Sequence, residues 1–173
     1  MATTEQGMLS FGFPTYLQID IEEMTKGEFC EEFQNGEARS RLDRWAMYGL
    51  HDGKGMTYGE EETVTFTRVK VSDLNLSKST SMEDIVARIE EYGQSPCKPH
   101  DAFFLQRHFL EEGVQEDIIL YTAMTPLQCT YTTMSYVFYV YRTSPMGRTH
   151  IGAQWEDKTY LKPDNEIVFR LRS

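Results

Sequence analysis

Tyr131-Thr132-Thr133-Met134-Ser135-Tyr136-Val137-Phe138-Tyr139-Val140-Tyr141-Arg142 decides the fold. This run contains no acid, no Gly and no Pro. Successive residues of a strand point to opposite faces. Met134, Tyr136, Phe138 and Val140 therefore share one face; Tyr131, Thr133, Ser135, Val137, Tyr139 and Tyr141 share the other. Both faces can pack, so the run reads as a central strand over 130–142, or one covered by a second layer.

Further strands are expected on either side, over 118–123, 149–155 and 166–171. Pro145-Met146-Gly147 and Lys162-Pro163-Asp164-Asn165 supply turns. In the last strand Ile167, Phe169 and Leu171 face in, and Arg170 and Arg172 face out. Near the N-terminus, Phe13, Thr15, Leu17, Ile19 and Ile21 alternate with polar residues, and Pro14 fits the start of an edge strand. Thr63 to Val71 is a strand whose apolar parity changes between Phe66 and Val69, which predicts a β-bulge near Thr67–Arg68.

Helices are marked by caps and by spacing. Thr25-Lys26-Gly27-Glu28 and Thr80-Ser81-Met82-Glu83 have the capping-box pattern. Met82, Ile85, Val86, Ile89 and Tyr92 form an amphipathic stripe that Gly93 closes. Ala38, Leu42, Trp45, Ala46 and Gly49 recur at helical spacing, and Asp101 is expected to cap a helix carrying Phe104, Leu105, His108 and Phe109. The fold class is α+β: one domain over 11–173, a largely antiparallel sheet with three or four short helices packed on it. Residues 1–10 read as a disordered N-terminal segment.

A chain of 173 residues buries about 70% of its unfolded surface and needs no disulfide or metal to fold. It has no apolar run of about 18 residues. Its N-terminus shows neither a basic-then-apolar signal nor a Gly at position 2 for myristoylation. Cys30, Cys97 and Cys129 cannot all pair within one chain, and their spacing forms no metal motif. These features predict an intracellular, cytoplasmic protein with reduced thiols and no cofactor or metal, and make the Asn75-Leu76-Ser77 sequon accidental.

Charge is unevenly placed. Residues 1–117 hold 11 Lys/Arg and 23 Asp/Glu, a net of −12; residues 118–173 hold 6 and 4, a net of +2. The total of −10 opposes nonspecific binding to nucleic acid and to anionic membranes. It favours a protein partner, including head-to-tail self-association.

Four groups of residues carry candidate chemistry. Cys97, His100 and His108 are the nearest approach to a nucleophile–base pair or a metal cluster, but a zinc site needs about four ligands. Glu60, Glu61 and Glu62, with Glu22 and Glu23, offer carboxylates beside loops, where a solvated face is the ordinary outcome. His51 to Gly59 is glycine-rich without the Walker pattern. Arg142, Arg148, His150, Arg170 and Arg172 gather into a basic patch if their strands are neighbours. Tyrosine, with ten in the chain and five from Tyr121 to Tyr141, suits protein interfaces because it combines an apolar ring with a hydroxyl.

Gly12-Phe13-Pro14-Thr15-Tyr16-Leu17-Gln18-Ile19-Asp20 resembles the early Trp-Pro-Thr…Ile-Asp strand of bornavirus-type matrix proteins. Val64 to Val71 followed by the Ser81–Tyr92 helix resembles the start of the rhabdovirus matrix core. The resemblance covers under a fifth of the chain. It implies a small α+β viral assembly protein that self-associates under a membrane and binds nucleoprotein. The net charge of −10 departs from the basic membrane-binding surface of such proteins.

The leading expectation is a non-enzymatic interaction or self-assembly protein, with Tyr131, Tyr139, Tyr141, Arg142, Arg148, Arg170 and Arg172 as its contact residues. The alternative is an acidic inhibitor that mimics nucleic acid and blocks a basic partner through Glu22, Glu23, Glu31, Glu32, Glu60, Glu61 and Glu62. A second alternative is a small enzyme with its site near Cys97–His108.

Overall fold

The computed structural model describes residues 12–35, 41–113, 116–130, 133–142, 149–155 and 160–172. In chain order the elements are β1 (Leu17–Ile21), α1 (Lys26–Cys30) running into a π turn (Glu31–Asn35), β2 (Arg41–Leu42), α2 (Arg44–Asp52), β3 (Gly53–Lys54) and β4 (Glu62–Lys70). A 3-10 turn (Val71–Leu74), β5 (Thr80–Ser81), α3 (Met82–Glu91) and α4 (Asp101–Glu111) follow. The chain then runs through β6 (Ile118–Thr122), β7 (Leu127–Cys129), β8 (Ser135–Arg142), β9 (Thr149–Trp155), β10 (Tyr160–Leu161) and β11 (Glu166–Arg170). The class is α+β, as expected.

Nine of the strands form one sheet. β8 is central: β6 and β7 pair with one of its edges and β9 with the other. From β6 the sheet continues through β11 and β4 to β1, which pairs only with β4 among the described residues. β6 with β11 and β2 with β9 run parallel; the other pairs in this sheet are antiparallel. β5 and β10 make a separate two-stranded ribbon.

Five expectations are corrected. The strand expected over 130–142 begins, among the described residues, at Ser135, and Cys129 N–H donates to the Met134 carbonyl at 2.8 Å just ahead of it. β4 has no bulge. Its registers with β1 and β11 are unbroken, and the parity changes because both faces are covered. Val64 and Phe66 look to one layer; Thr67 and Val69 look to the other, where the Thr67 hydroxyl donates to the Pro14 carbonyl at 2.6 Å. The cap of α3 is Ser81, not Thr80: its Oγ accepts from Asp84 N–H. Asp101 is the first residue of α4 rather than its cap; His100 takes the cap position. Thr25 and Glu28 do form a reciprocal capping box. Of the second helix, Leu42 lies in β2, and Ala38 lies outside the described residues, as do residues 1–10.

Alternation assigns the layers. Tyr136, Phe138, Val140, Leu120, Val168 and Phe66 look toward α1, α2 and α4. Phe103 of α4 meets Phe138 edge-on at 5.3 Å, and Phe29 of α1 meets Phe103 at 4.9 Å. Gly49 lets α2 close on the same strand, since a Cβ there would stand 2.9 Å from Cζ of Phe138. On the opposite face, Phe169 touches Phe13, which touches Tyr92 at the end of α3. That layer lies over the β4–β11 half. Ile119, Tyr121, Val137, Tyr139, Tyr141, His150 and Gly152 occupy the same face over the β6–β8–β9 half.

Candidate functional site

The β6–β8–β9 half carries a continuous aromatic surface. Tyr121 lies across from Tyr139, with ring centroids 5.4 Å apart; Tyr141 lies 5.4 Å further along β8 and stacks on His150 of β9 at 5.2 Å. Gly152 is opposite Tyr139, and a Cβ there would sit inside the Tyr139 ring. The glycine therefore lets Tyr139 lie flat across β9. Val137 at one end is fully buried, the three tyrosines are half-buried, and Ile119 at the other end is 49% exposed. Burial raises the phenol pKa of Tyr121, Tyr139 and Tyr141, that of Tyr139 to about 12 with a smaller push from Asp43. Their hydroxyls have no hydrogen-bond partner among the described residues. Ile119, the tyrosines and Gly152 bring no ionised group to this surface.

The other face holds an ionic cluster. Arg170, the last residue of β11, is 8% exposed and grips fully buried Asp101 with two parallel bonds: Nε to Oδ2 at 2.7 Å and Nη2 to Oδ1 at 2.6 Å. Its Nη1 donates to Glu62 at 2.9 Å. Lys98 Nζ reaches Glu62 and Glu60, each at 2.9 Å, while Lys98 N–H donates to Asp101 Oδ2 at 2.8 Å. Burial alone would lower the Arg170 pKa; Asp101 and then Glu62 outweigh it and raise it. Glu62, which burial would push up, is held below the ordinary carboxylate range by Lys98 and Arg170. The short segment Ser95–Cys97 seals this corner: Ser95 exchanges backbone bonds with Arg170, and Cys97 N–H donates to the Ala123 carbonyl at 2.7 Å.

His100 and Cys97 belong to this packing. His100 is fully buried, with Nδ1 at 2.7 Å from Thr57 Oγ1 and Nε2 at 3.4 Å from Arg170 Nη2. Burial, with help from the Arg170 and Lys98 charges, lowers its pKa and favours the neutral ring. Cys97 is 4% exposed and donates its thiol to the Val168 carbonyl at 3.3 Å. Burial, then the Asp101 carboxylate, pushes that thiol well up, the opposite of what a nucleophile needs. His108 stands eight residues along α4, about 12 Å from His100 by helical rise, and does not join them. The expected Cys97–His108 grouping is thus not assembled. Cys97 should alkylate at pH 7 about tenfold or more slowly than half-buried Cys30 and Cys129, read by mass spectrometry of the three peptides. A faster Cys97 would contradict this placement.

Among the described residues the expected basic patch is not gathered either. Tyr139 and Tyr141 lie on the aromatic face. Arg142 and Arg170 are both 8% exposed and look to the helical side, because even-numbered residues of β8 and β11 point there. Arg142 stands 4.0 Å from Asp117. Arg170 does not face out: a carboxylate of α4 waits beneath it. Arg172 is exposed beyond β11, its backbone N–H on Gln94 and its Nε on Ser95 Oγ. Tyr131 and Arg148 lie outside the described residues.

Of the expected acidic face, Glu22, Glu23, Glu61 and Glu62 line one open cleft of about 830 Å³ with Asp20, Ile21 and Thr63. Glu60, Glu31 and Glu32 stand outside its lining. Much of this charge is neutralised by the chain's own cations. Arg107 pairs with Glu32 at 2.8 Å and Glu22 at 3.2 Å; Lys98 and Arg170 take Glu60 and Glu62. Glu23 and Glu61 have no partner among the described residues.

Among the described residues no group of three or more His, Cys, Asp or Glu is placed to hold a metal ion, and no helix is long and apolar enough to cross a membrane. Sequence reasoning missed Ile119, Gly152 and the Asp101–Arg170 grip. The first had a signal: Ile119 and Tyr121 share one parity of β6. Compared with protein-family models, curated proteins and solved structures, the chain matches none.

Proposed function

We propose that this chain is a non-enzymatic interaction and assembly protein whose contact surface is the aromatic face of β6, β8 and β9. One observation carries this reading: three half-buried tyrosines, whose hydroxyls have no hydrogen-bond partner among the described residues, adjoin a half-exposed isoleucine, and none of these four side chains is ionised. A lone exposed isoleucine means little. Combined with a tyrosine row it has the composition of an interface core, poor in charge and rich in rings. The reactive candidates on the other face are already engaged: the Cys97 thiol donates to the Val168 carbonyl, and buried His100 lies between Thr57 and Arg170. The matrix-protein resemblance agrees with an assembly role. Three free cysteines agree with a reducing, intracellular compartment.

A second reading, an acidic inhibitor of a basic partner, draws on the cleft at Glu22, Glu23, Glu61 and Glu62. Its weakness is the internal neutralisation by Arg107, Lys98 and Arg170. One experiment separates the two. Partners captured from the source by the wild type are compared with those captured by Ile119→Glu and by Glu23→Lys/Glu61→Lys. Loss with Ile119→Glu supports the aromatic face; loss with the charge reversals alone supports the inhibitor and removes the first reading.

A further inference from the structure

The geometry points to an acid-sensitive strap: residues 56–59, latched by His100 at neutral pH and released from the Phe29 and Phe104 rings when the imidazole becomes charged.

The strap is built to pivot. Between β3 and β4, Met56 to Glu60 adopts no regular structure. Gly55 at φ 93° and Gly59 at φ 116° stand in backbone conformations that other residues take only under strain. Residues 57–59 make one hydrogen bond among the described residues, that of Thr57 Oγ1 with His100 Nδ1 at 2.7 Å. The rest of their hold is packing. The Tyr58 ring meets Phe29 edge-on at 5.6 Å, and a Cβ on Gly59 would stand 3.3 Å from the Phe104 ring.

The latch works in one protonation state. A guanidinium only donates, and Arg170 Nη2 lies 3.4 Å from His100 Nε2, so Nε2 accepts. The proton of the neutral ring therefore sits on Nδ1 and is donated to the Thr57 hydroxyl. A proton added at Nε2 would face Arg170. Asp101 Oδ1 is 3.6 Å from Nε2, but it already accepts from Arg170 Nη2 at 2.6 Å.

The other charges around the ring are also committed. Glu62 holds Arg170 and Lys98, and Glu60 holds Lys98. Asp101 and Glu62 favour a charged ring, Arg170 and Lys98 oppose it, and burial, the largest cause, decides for the neutral form. His100 also occupies the cap position of α4, where the helix dipole disfavours a cation. A charged His100 must therefore turn out to water. Half-buried Thr57 lies on its Nδ1 edge. Turning the ring out breaks that bond and leaves residues 57–59 held by packing alone.

Linkage gives the direction. With the strap open, the ring regains the ordinary histidine pKa of about 6.5. With the strap closed, its pKa is lower. Closure is thus fully stable above about pH 6.5, and below it the opening constant rises up to about tenfold per pH unit until the closed ring titrates too.

Hydroxyl-radical footprinting of the full chain, read by mass spectrometry, tests this. Labelling of Met56 and Tyr58, relative to Tyr160 at 63% exposure, should rise at least about threefold from about pH 7.5 to 5.0. Labelling of buried Met82 and Phe138 should not change. The His100 ring, followed by NMR in the wild type, should titrate with the same midpoint as the labelling. His100→Asn, which can still donate to Thr57 but cannot titrate, should make the labelling flat with pH. His51→Asn, at an exposed histidine of α2, should leave the rise intact. If near-ultraviolet dichroism shows His100→Asn misfolded, the two wild-type midpoints decide. Flat labelling in the wild type, unequal midpoints, or an undiminished rise in folded His100→Asn overturns the inference. So does a rise at Met82 and Phe138 in step with Tyr58, which would be unfolding of the whole domain.

Discussion

Replacing Asp101 by Ala is expected to destabilise the protein by about 3–5 kcal/mol, which should lower the melting temperature by roughly 10 °C. The cause is what the substitution leaves behind. Arg170 is 8% exposed and sends two of its bonds, at 2.6 and 2.7 Å, to this one carboxylate. Without Asp101 it keeps Glu62 at 2.9 Å and the His100 ring at 3.4 Å, neither of which replaces the lost bidentate grip on its buried guanidinium. The Lys98 N–H loses its acceptor too. A domain has about 5–15 kcal/mol in all, so this is a large share. Removing both charges with Asp101→Leu/Arg170→Met should recover much of the loss, because a buried ion pair adds little over an apolar pair of similar size. Urea unfolding of the two variants measures this. An Asp101→Ala loss below about 1 kcal/mol would show the grip to be unimportant.

Phe29→Ala should cost a comparable amount, about 3–5 kcal/mol. α1 is a single five-residue stretch, far too short to be stable alone, and its capping box contributes only about 1 kcal/mol. What holds it is Phe29, fully buried and in ring contact with Phe33, Tyr58, Phe103 and Phe104 at 4.6–6.1 Å. Truncation opens a cavity between rings that β8 and α4 hold in place, so collapse can recover little. The loss should appear in urea unfolding together with reduced near-ultraviolet dichroism. A variant within about 1 kcal/mol of wild type would show that α1 is held by something else.

Local rules carried much of the fold. The alternation from Tyr136 to Tyr141 gives β8 both of its faces, and the Met82–Ile89 stripe gives α3. The Thr25–Glu28 box starts α1 where the pattern says. What alternation cannot supply is the identity of the layer above each face. Val64 and Phe66 against Val69 therefore looked like a bulge when they mark a strand sandwiched by two layers. Arg170 has the same origin. Its parity is plain in the sequence, but its partner Asp101 lies 69 residues away, so no local pattern says that a carboxylate covers that face. Asp101 in turn looked like a cap, a local role, when most of its bonds are long-range. Tyr139 and Tyr141 were legible as surface-suited rings. Gly152, which lays Tyr139 down, was not, since a glycine in a strand announces a close approach without naming what approaches.

The central claim is that the β6–β8–β9 face is the surface at which this protein meets another chain. Chemical-shift mapping of the wild type, as the partner it captures from its source is titrated in, tests it most directly. The account predicts concentration-dependent changes confined to 118–121, 137–142 and 149–154, strongest at Ile119 and Tyr141. Shifts centred instead on Asp20–Glu23 and Glu61, with the tyrosine row unmoved at every concentration, would contradict it.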